Sequence, residues 1–383
     1  MTQQTPNKNN RIFFCAGDIS GDIHASNLMK ELKKLSPEIL LDSIGGQRMK
    51  AQSDNFLYDM VAKGASGFVE PIKKIFTWLD LLNMVKDYFD NQKPACVVLT
   101  DFFGFNSFVM KAAYERKIPV YYYVCPQVWA SRRYRAKQIV KMAKKMIVIF
   151  PFEKKVYTEL GGDAIYLGNP LLDTIPEPAH KTFKADTKAE FKIGMMPGSR
   201  PSEIQKHTKL FWQAFKEIKK SLPNAKAYLF AVPEVSDETL FSFIGGKNED
   251  FKIVRETDYK IRKTMDFVIT CSGTATLENA LLDLPMVVVY KTSWITYWIA
   301  RMIIQVPYIS LVNILRKQAV VKELIQNQAT PENIAKETLF VLENQKKFNA
   351  MLRNMAAIRE HLGLPGVAKR AAEVILGEVF HSK

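Results

Sequence analysis

The chain has 383 residues, 47% hydrophobic and 24% charged, which is too long for one usual core and excludes a disordered polymer. A net charge of +15 calls for an anionic partner, and the lack of any RNP, zinc-knuckle or helix-turn-helix signature argues against nucleic acid. Four cysteines (Cys15, Cys96, Cys125, Cys271) show no C-x-x-C spacing and read as reduced core thiols of a cytoplasmic protein, with no disulfide framework and no metal site. The first ten residues hold no apolar signal-peptide core, and no apolar run reaches the ~18 residues of a spanning helix. Lys291 and Arg301 interrupt the best candidate.

In chain order, Arg11 to Cys15 reads as a buried strand running into the turn Ala16-Gly-Asp-Ile-Ser-Gly-Asp22, with a helix expected from about Ile23 to Leu35. A glycine-bearing turn between a first strand and a first helix is where Rossmann-like halves hold phosphate or sugar. The spacing is G-x-x-x-G, which is not a dinucleotide fingerprint and argues against a dehydrogenase. Phe68 to Phe89 reads as a helix with an apolar face wider than a surface helix buries, flanked by Lys73, Lys74 and Lys86. Either it is wedged between two layers, or Phe68, Val69, Ile72, Trp78 and Leu81 form a greasy patch for an anionic bilayer surface. Ala95 to Thr100 is a strand that delivers Asp101 at its carboxyl end, ahead of the aromatic loop Phe102-Phe-Gly-Phe-Asn106. Strand tips of this kind carry working groups in α/β folds, although a turn residue or helix cap would look the same. Val120 to Cys125 and Met146 to Phe150 are further strands, separated by a basic helix through Lys145.

A Pro- and Lys-bearing stretch near residues 174–190 has no apolar periodicity and reads as a linker. The alternation then restarts. Lys192 to Met196 leads into Pro197-Gly-Ser-Arg200 and a long helix, and later strands and helices, one running through Lys263, lead to Phe267–Tyr290. There a strand, the turn Ser272-Gly-Thr274, a helix to Leu284 and a second strand after Pro285 form a parallel α/β unit. Its helix start offers free N–H groups and a positive dipole end to an anion, and Glu278, one turn in, could accept from ribose hydroxyls. The expected architecture is two Rossmann-like domains facing each other across a deep cleft, residues 1–175 and 176–349. The last helix, about 350–383, could pack back onto the first domain.

Eight blocks read together resemble the lipid-A-disaccharide synthase family: A-G-D-I-S-G-D (16–22), L-T-D-F-F-G-F-N (99–106), C-P-Q-V-W-A (125–130), P-F-E (151–153), G-N-P-L-L-D (168–173), M-P-G-S-R-x-x-E (196–203), C-S-G-T-A-T-L-E (271–278) and S-L-V-N-I-L (310–315). The resemblance implies a GT-B glycosyltransferase of lipid A biosynthesis that joins UDP-2,3-diacylglucosamine to 2,3-diacylglucosamine 1-phosphate and releases UDP. No carboxylate cluster resembles the D-x-D pattern that holds a metal on a nucleotide diphosphate, so no cofactor is expected, and the expected partners are the cytoplasmic face of the inner membrane and a second copy of the chain in a homodimer. Three positions depart from the family pattern. Asp18 stands where Glu is usual, Asn169 where His is usual and so cannot act as a base, and Phe102 where Ser or Ala is common.

Inverting transfer needs a base for the attacking hydroxyl and stabilisation of a departing diphosphate. Asp101 is the expected base and Arg200 the expected diphosphate grip, arginine binding phosphate through two parallel hydrogen bonds. UDP is expected on Ser199, Arg200, Ser272, Gly273, Thr274, Ala275, Glu278 and Asn313. The sugar and acceptor are expected on Gly17, Asp18, Ser20, Gly21, Asp22, Asn106, Gln127 and Trp129. The competing readings are another GT-B UDP-sugar enzyme, of the peptidoglycan N-acetylglucosaminyltransferase or UDP-sugar 2-epimerase kind, and a membrane-surface lipid-phosphate binder without turnover.

Overall fold

Residues 10–65, 71–131, 134–178, 180–233, 235–303 and 306–380 are described by a computed structural model. Two parallel sheets carry the strands among them. The first holds β1 (Arg11–Ala16), β2 (Leu40–Gly45), β3 (Asn55–Asp59), β4 (Cys96–Thr100), β5 (Val120–Tyr123), β6 (Lys145–Val148) and β7 (Ala164–Tyr166) in the order β3-β2-β1-β4-β5-β6-β7. The second holds β8 (Lys192–Met196), β9 (Lys226–Phe230), β10 (Phe251–Val254), β11 (Phe267–Thr270), β12 (Met286–Tyr290) and β13 (Glu323–Ile325) in the order β10-β9-β8-β11-β12-β13.

Both faces of such sheets are covered, so their strands read as unbroken apolar runs. In β4 the side chains of Val97 and Leu99 enter one core, with Phe13, Tyr122 and Val148. Those of Cys96 and Val98 enter the other, with Phe14, Tyr121 and Ile147. Each strand order reverses direction once, between β1 and β4 in the first sheet and between β8 and β11 in the second. Parallel α/β sheets bind ligands outside the carboxyl ends of the strands at such a reversal. Pairing of Ala16 with Thr100 sets Gly17 beside Asp101, and pairing of Met196 with Thr270 sets Pro197 beside Cys271.

The chain divides into two compact units, one of residues up to Asp173 together with those from Leu362, the other Thr174–His361. The sequence reading placed the return from about residue 350, but the helix Gln345–His361 stays with the second unit. Gly363 and Gly366, at φ 90° and 88° on either side of Leu364 and Pro365, break the helix that the sequence reading carried through to the end. The final helix, Val367–Phe380, lays Ala371, Ala372, Ile375 and Leu376 into the core that covers β1 and β4 on one face. Asp173 fastens its start, accepting from the backbone N–H groups of Gly366, Val367 and Ala368 at 2.6, 3.0 and 2.8 Å. Elsewhere the boundaries moved for local reasons. The first helix begins at Ile19, because the Asp18 carboxylate accepts from the Gly21 N–H at 2.7 Å and caps it. Lys145 ends no helix but opens β6, and the helix expected through Lys263 is a single 3-10 turn, Arg262–Thr264.

Candidate active site

At the reversal point of the first sheet the backbone is strained. Asp101 and Phe102 follow β4 at φ 44° and 38°, and Val124 follows β5 at φ 58°. Left-handed backbone of this kind costs roughly 1–3 kcal/mol per non-glycine residue and persists only where neighbours over-determine it. Here they do. The Asp101 carbonyl accepts from Asn106 Nδ2 at 2.9 Å and from the Tyr122 hydroxyl at 2.8 Å, while the Asp101 N–H donates to the Val124 carbonyl at 3.0 Å. The peptide is thereby fixed and the half-buried carboxyl directed.

Burial, the largest cause, and the negative charge of Asp18 together raise the Asp101 carboxyl to about 7 against the opposing pull of a backbone hydrogen bond at Phe102. Asp18, half-buried at the end of β1, is itself raised by burial, with the Gly21 N–H pulling it back. Asp18 and Asp101 thus follow adjacent strands, and the charge of the first favours the proton on the second. A third carboxyl lies behind them. Glu153 is buried and pushed up to about 7 by burial, yet it accepts from Trp129 Nε1 at 2.7 Å and from the N–H groups of Ile149 and Phe150 at 3.0 Å each.

Several residues expected to touch the sugar are occupied otherwise. Asp22 is buried, and its carboxylate accepts from the N–H groups of Gly46, Arg48 and Met49, bracing the turn after β2. Asn106 is fully buried and serves the backbone at Thr100 and Asp101. Trp129 is buried on Glu153 and stacks edge-on against Phe152 at 5.0 Å. Gly17 is covered by the Phe102 ring, which a Cβ there would strike at 2.0 Å. Gly21 lies within the first helical turn, where a Cβ would come 3.5 Å from the Thr100 carbonyl. Asp18, Ser20 and Gln127 keep solvent access. At Gly104 the Trp78 indole lies 3.1 Å from where a Cβ would stand, so that side of the loop is closed.

That indole also corrects the membrane patch. Trp78 is half-buried, edge-on to Phe102 and Phe105 at 6.0 and 5.9 Å, and Leu81 is core at 4% exposure. The helix Pro71–Gln92 spends both residues on packing against the aromatic loop and the sheet. Phe68 and Val69, and the side chain of Ile72, lie outside the described residues.

The second sheet's reversal point is open. Gly198 at φ 107° and Gly273 at φ 141° take positive values that glycine adopts without strain, and nothing lies within 4 Å of a Cβ placed at Gly273. Ser199, Gly273 and Thr274 are exposed, and Ala275 is half-buried beside them. Gly273 caps the helix Thr274–Leu281, its carbonyl accepting from the Thr276 N–H at 3.1 Å, and the N–H groups of Thr274 and Ala275 open the helix at the carboxyl edge of the sheet. Arg200 caps the helix Pro201–Ser221; its side chain is 76% exposed and touches Glu203 at 3.1 Å. Ser272 donates to the Ile309 carbonyl at 2.7 Å.

Two expected nucleotide ligands are held by protein. Asn313 is buried, its Nδ2 donating to the Val321 carbonyl and Glu323 while its Oδ1 accepts from the N–H groups of Val320 and Val321. All four of its hydrogen-bonding positions are filled, so it is a scaffold residue. Glu278 remains partly accessible, but one oxygen accepts from Arg262 Nη1 at 2.6 Å. Arg262 also grips Asn279 Oδ1 through Nε and Nη2, at 2.9 and 2.7 Å, and the Ala275 carbonyl at 3.1 Å. Buried His207 adds a second brace: Nδ1 lies 3.0 Å from the Pro197 carbonyl, and Nε2 accepts from the Lys291 N–H at 3.1 Å. Those partners fix the neutral tautomer, and burial lowers the tendency of His207 to protonate. Sequence reasoning missed Tyr122, Glu153, His207 and Arg262, since none stands at a strand tip; only Glu153 carried a signal, in the P-F-E block.

A family model described as Lipid-A-disaccharide synthetase matches residues 12–374. The chain belongs to that family. Among curated relatives, a lipid-A-disaccharide synthase of Myxococcus xanthus is 33% identical over 370 residues, covering 96% of this chain and 97% of the relative. One of Syntrophus aciditrophicus is 33% identical over 374 residues, covering 95% and 97%. The fold is seen in the S. aureus MnaA–UDP co-structure, with a TM-score of 0.69, 13% identity, and coverage of 97% of this chain and 98% of that one. As a member of the synthetase family the chain is a glycosyltransferase, and its two parallel-sheet units are those of the GT-B fold. In family terms Asp101, Ser272–Ala275 and Arg200 all fall in blocks that carry the resemblance, and the buried Asn313 does too.

Proposed function

We propose that the chain transfers 2,3-diacylglucosamine from UDP-2,3-diacylglucosamine, with inversion, to the 6-hydroxyl of 2,3-diacylglucosamine 1-phosphate. The observation that carries this reading is Asp101: a carboxyl on a strained, doubly anchored peptide at the reversal point of a sheet, with its affinity for a proton raised to about 7. A general base works best with a pKa near the operating pH. Asp101 takes the proton of the 6-hydroxyl, the oxygen forms its bond to the donor's anomeric carbon, and the bond from that carbon to the diphosphate oxygen breaks. The charge that develops on UDP is met by the N–H groups at the start of Thr274–Leu281 and by Arg200, whose exposed guanidinium is free to turn from Glu203 to a phosphate. Glu278 receives the ribose hydroxyls, with Arg262 holding its far oxygen.

Both substrates carry acyl chains, so the chain works at the cytoplasmic face of the inner membrane as a peripheral protein. No helix among the described residues is long and apolar enough to cross a membrane. The deciding experiment follows UDP release from the donor with and without the acceptor, and identifies the product by mass. UDP release that depends on the acceptor and yields the tetra-acylated disaccharide phosphate is the expected result. Donor turnover independent of acceptor, as a 2-epimerase would give, or the absence of turnover with both lipids, would sink the reading.

A further inference from the structure

The helix Trp294–Ile303, in the second unit, presents large apolar side chains to water along one stripe. Trp294, Trp298 and Met302, spaced four residues apart and so on one helical face, are 51%, 55% and 77% exposed. A tight ring arrangement supports them. Tyr297 lies 5.7 Å edge-on from each tryptophan ring, the Tyr297 hydroxyl accepts from Arg301 Nη1 at 3.0 Å, and the Arg301 guanidinium lies 5.8 Å from the Trp298 ring. Soluble proteins scatter single apolar residues over their surfaces but seldom align two tryptophans and a methionine.

The charge along this stretch of chain points to what covers it. From Leu284 through Lys322 the chain contains no aspartate or glutamate, while Lys291, Arg301, Arg316, Lys317 and Lys322 are all basic. A protein partner with a matching apolar patch would need no such one-sided charge. An anionic lipid surface does, and tryptophan, tyrosine and arginine are the residues that settle at the boundary between headgroups and acyl chains.

We propose that the Trp294–Ile303 helix lies in the plane of an anionic membrane, inserting Trp294, Trp298 and Met302 to the acyl boundary while Arg301 meets the headgroups. This deepens the proposed function by assigning a membrane-contact surface to the second unit, and it rests on that reading only for the source of the membrane.

The test uses full-length protein and two kinds of vesicle, phosphatidylcholine alone and phosphatidylcholine with 30% phosphatidylglycerol, the second also made with brominated acyl chains. The parent should bind the anionic vesicles, lose affinity as salt rises, and have its tryptophan emission quenched by bromine. In Trp294→Phe/Trp298→Phe, which keeps apolar bulk, binding should persist while most of the quenching disappears, because the remaining tryptophans, Trp78, Trp129 and Trp212, are half-buried or buried. In Trp294→Ser/Trp298→Ser/Met302→Ser, binding should fall on the order of tenfold or more. Circular dichroism and turnover with detergent-dispersed substrates should stay near the parent's. Unchanged binding of the serine variant, undiminished quenching of the phenylalanine variant, or a change of oligomeric state in place of vesicle binding would each overturn the proposal. Loss of turnover by the parent itself, with vesicle binding intact, would instead overturn the reading of function and leave the membrane surface standing.

Discussion

At the reversal point of the first sheet, non-glycine residues hold left-handed backbone and carboxyl groups lose their water. At that of the second, Gly198 and Gly273 take positive φ without strain, and Ser199, Arg200 and Thr274 stand in solvent. The first sheet carries one strand more, but its first six strands follow the same order as the six of the second, turning back beside the first strand in each. The physical character is opposite: one edge is closed, rigid and proton-seeking, the other open and suited to an anion. Topology therefore fixes where a ligand meets a parallel sheet, and the residues just past the strand tips fix which chemistry happens there.

The largest effect should come from removing the proton acceptor at the closed edge. Asp101→Asn is expected to lower kcat by ~10²–10⁴-fold while UDP affinity by calorimetry changes little, and loss of UDP binding would break the division of labour between the units. The same variant should be more stable than the parent. The folded-state pKa of Asp101 is raised to about 7, above its unfolded value, so the parent is best stabilised at low pH and loses that stability as pH rises through about 7. Asparagine has no proton to lose and tolerates left-handed backbone. The gain, about 1–3 kcal/mol at pH 8 and shrinking toward pH 4, should appear in urea melts at the two pH values.

At the open edge, Arg200→Ala should cost on the order of 10²-fold in turnover, and Arg200→Lys should recover little of it because an ammonium lacks the planar fork. Near-parental kinetics in the lysine variant would mean that charge alone matters there. A smaller effect is expected one layer back. Arg262→Lys should raise KM for the donor about tenfold with kcat nearly unchanged, because Glu278 and the helix start lose their common anchor. A fall in Tm with kinetics intact would make Arg262 a purely structural clamp. The smallest effect sharpens the closed edge. The acid limb of kcat/KM should lie near pH 7, activity falling below it as Asp101 takes up a proton, and Asp18→Asn should move that limb to lower pH by removing the charge that favours the proton. A limb that stays in place would mean that burial alone sets the pKa.

Much of this was legible in the sequence because parallel strands are buried on both faces and their tips are marked by abrupt changes of residue type. Thr100 to Asp101 and Met196 to Pro197 are such changes, and each was read correctly as an edge. What stayed hidden was which polar residues face out. Asp22, Asn106, Trp129 and Asn313 lie in blocks with the right chemistry, yet each is consumed by backbone or side-chain partners far along the chain, as Asn313 is by Val321 and Glu323. No local pattern distinguishes a polar residue that serves a ligand from one that serves the turn beneath it. The apolar width of Phe68–Phe89 misled for a related reason: Leu81 lies in the sheet's core and Trp78 packs on the loop after β4, a layer that helical periodicity cannot reveal.

The first unit is written in two pieces, and this has a consequence for how a ribosome delivers it. By the time Asp173 has been made, seven strands and their connecting helices are present, but the apolar surface destined for Ala371, Ala372, Ile375 and Leu376 is bare. Residues 174–361 come next, and at about 5–20 residues per second they take roughly 10–40 s to synthesise. During that interval the nascent sheet has a greasy, unroofed face and an uncommitted Asp173, a state that invites chaperone capture. The second unit, continuous in the chain, has no such wait. A chain truncated after His361 and released should therefore carry a folded second unit and a first unit that is still open to protease.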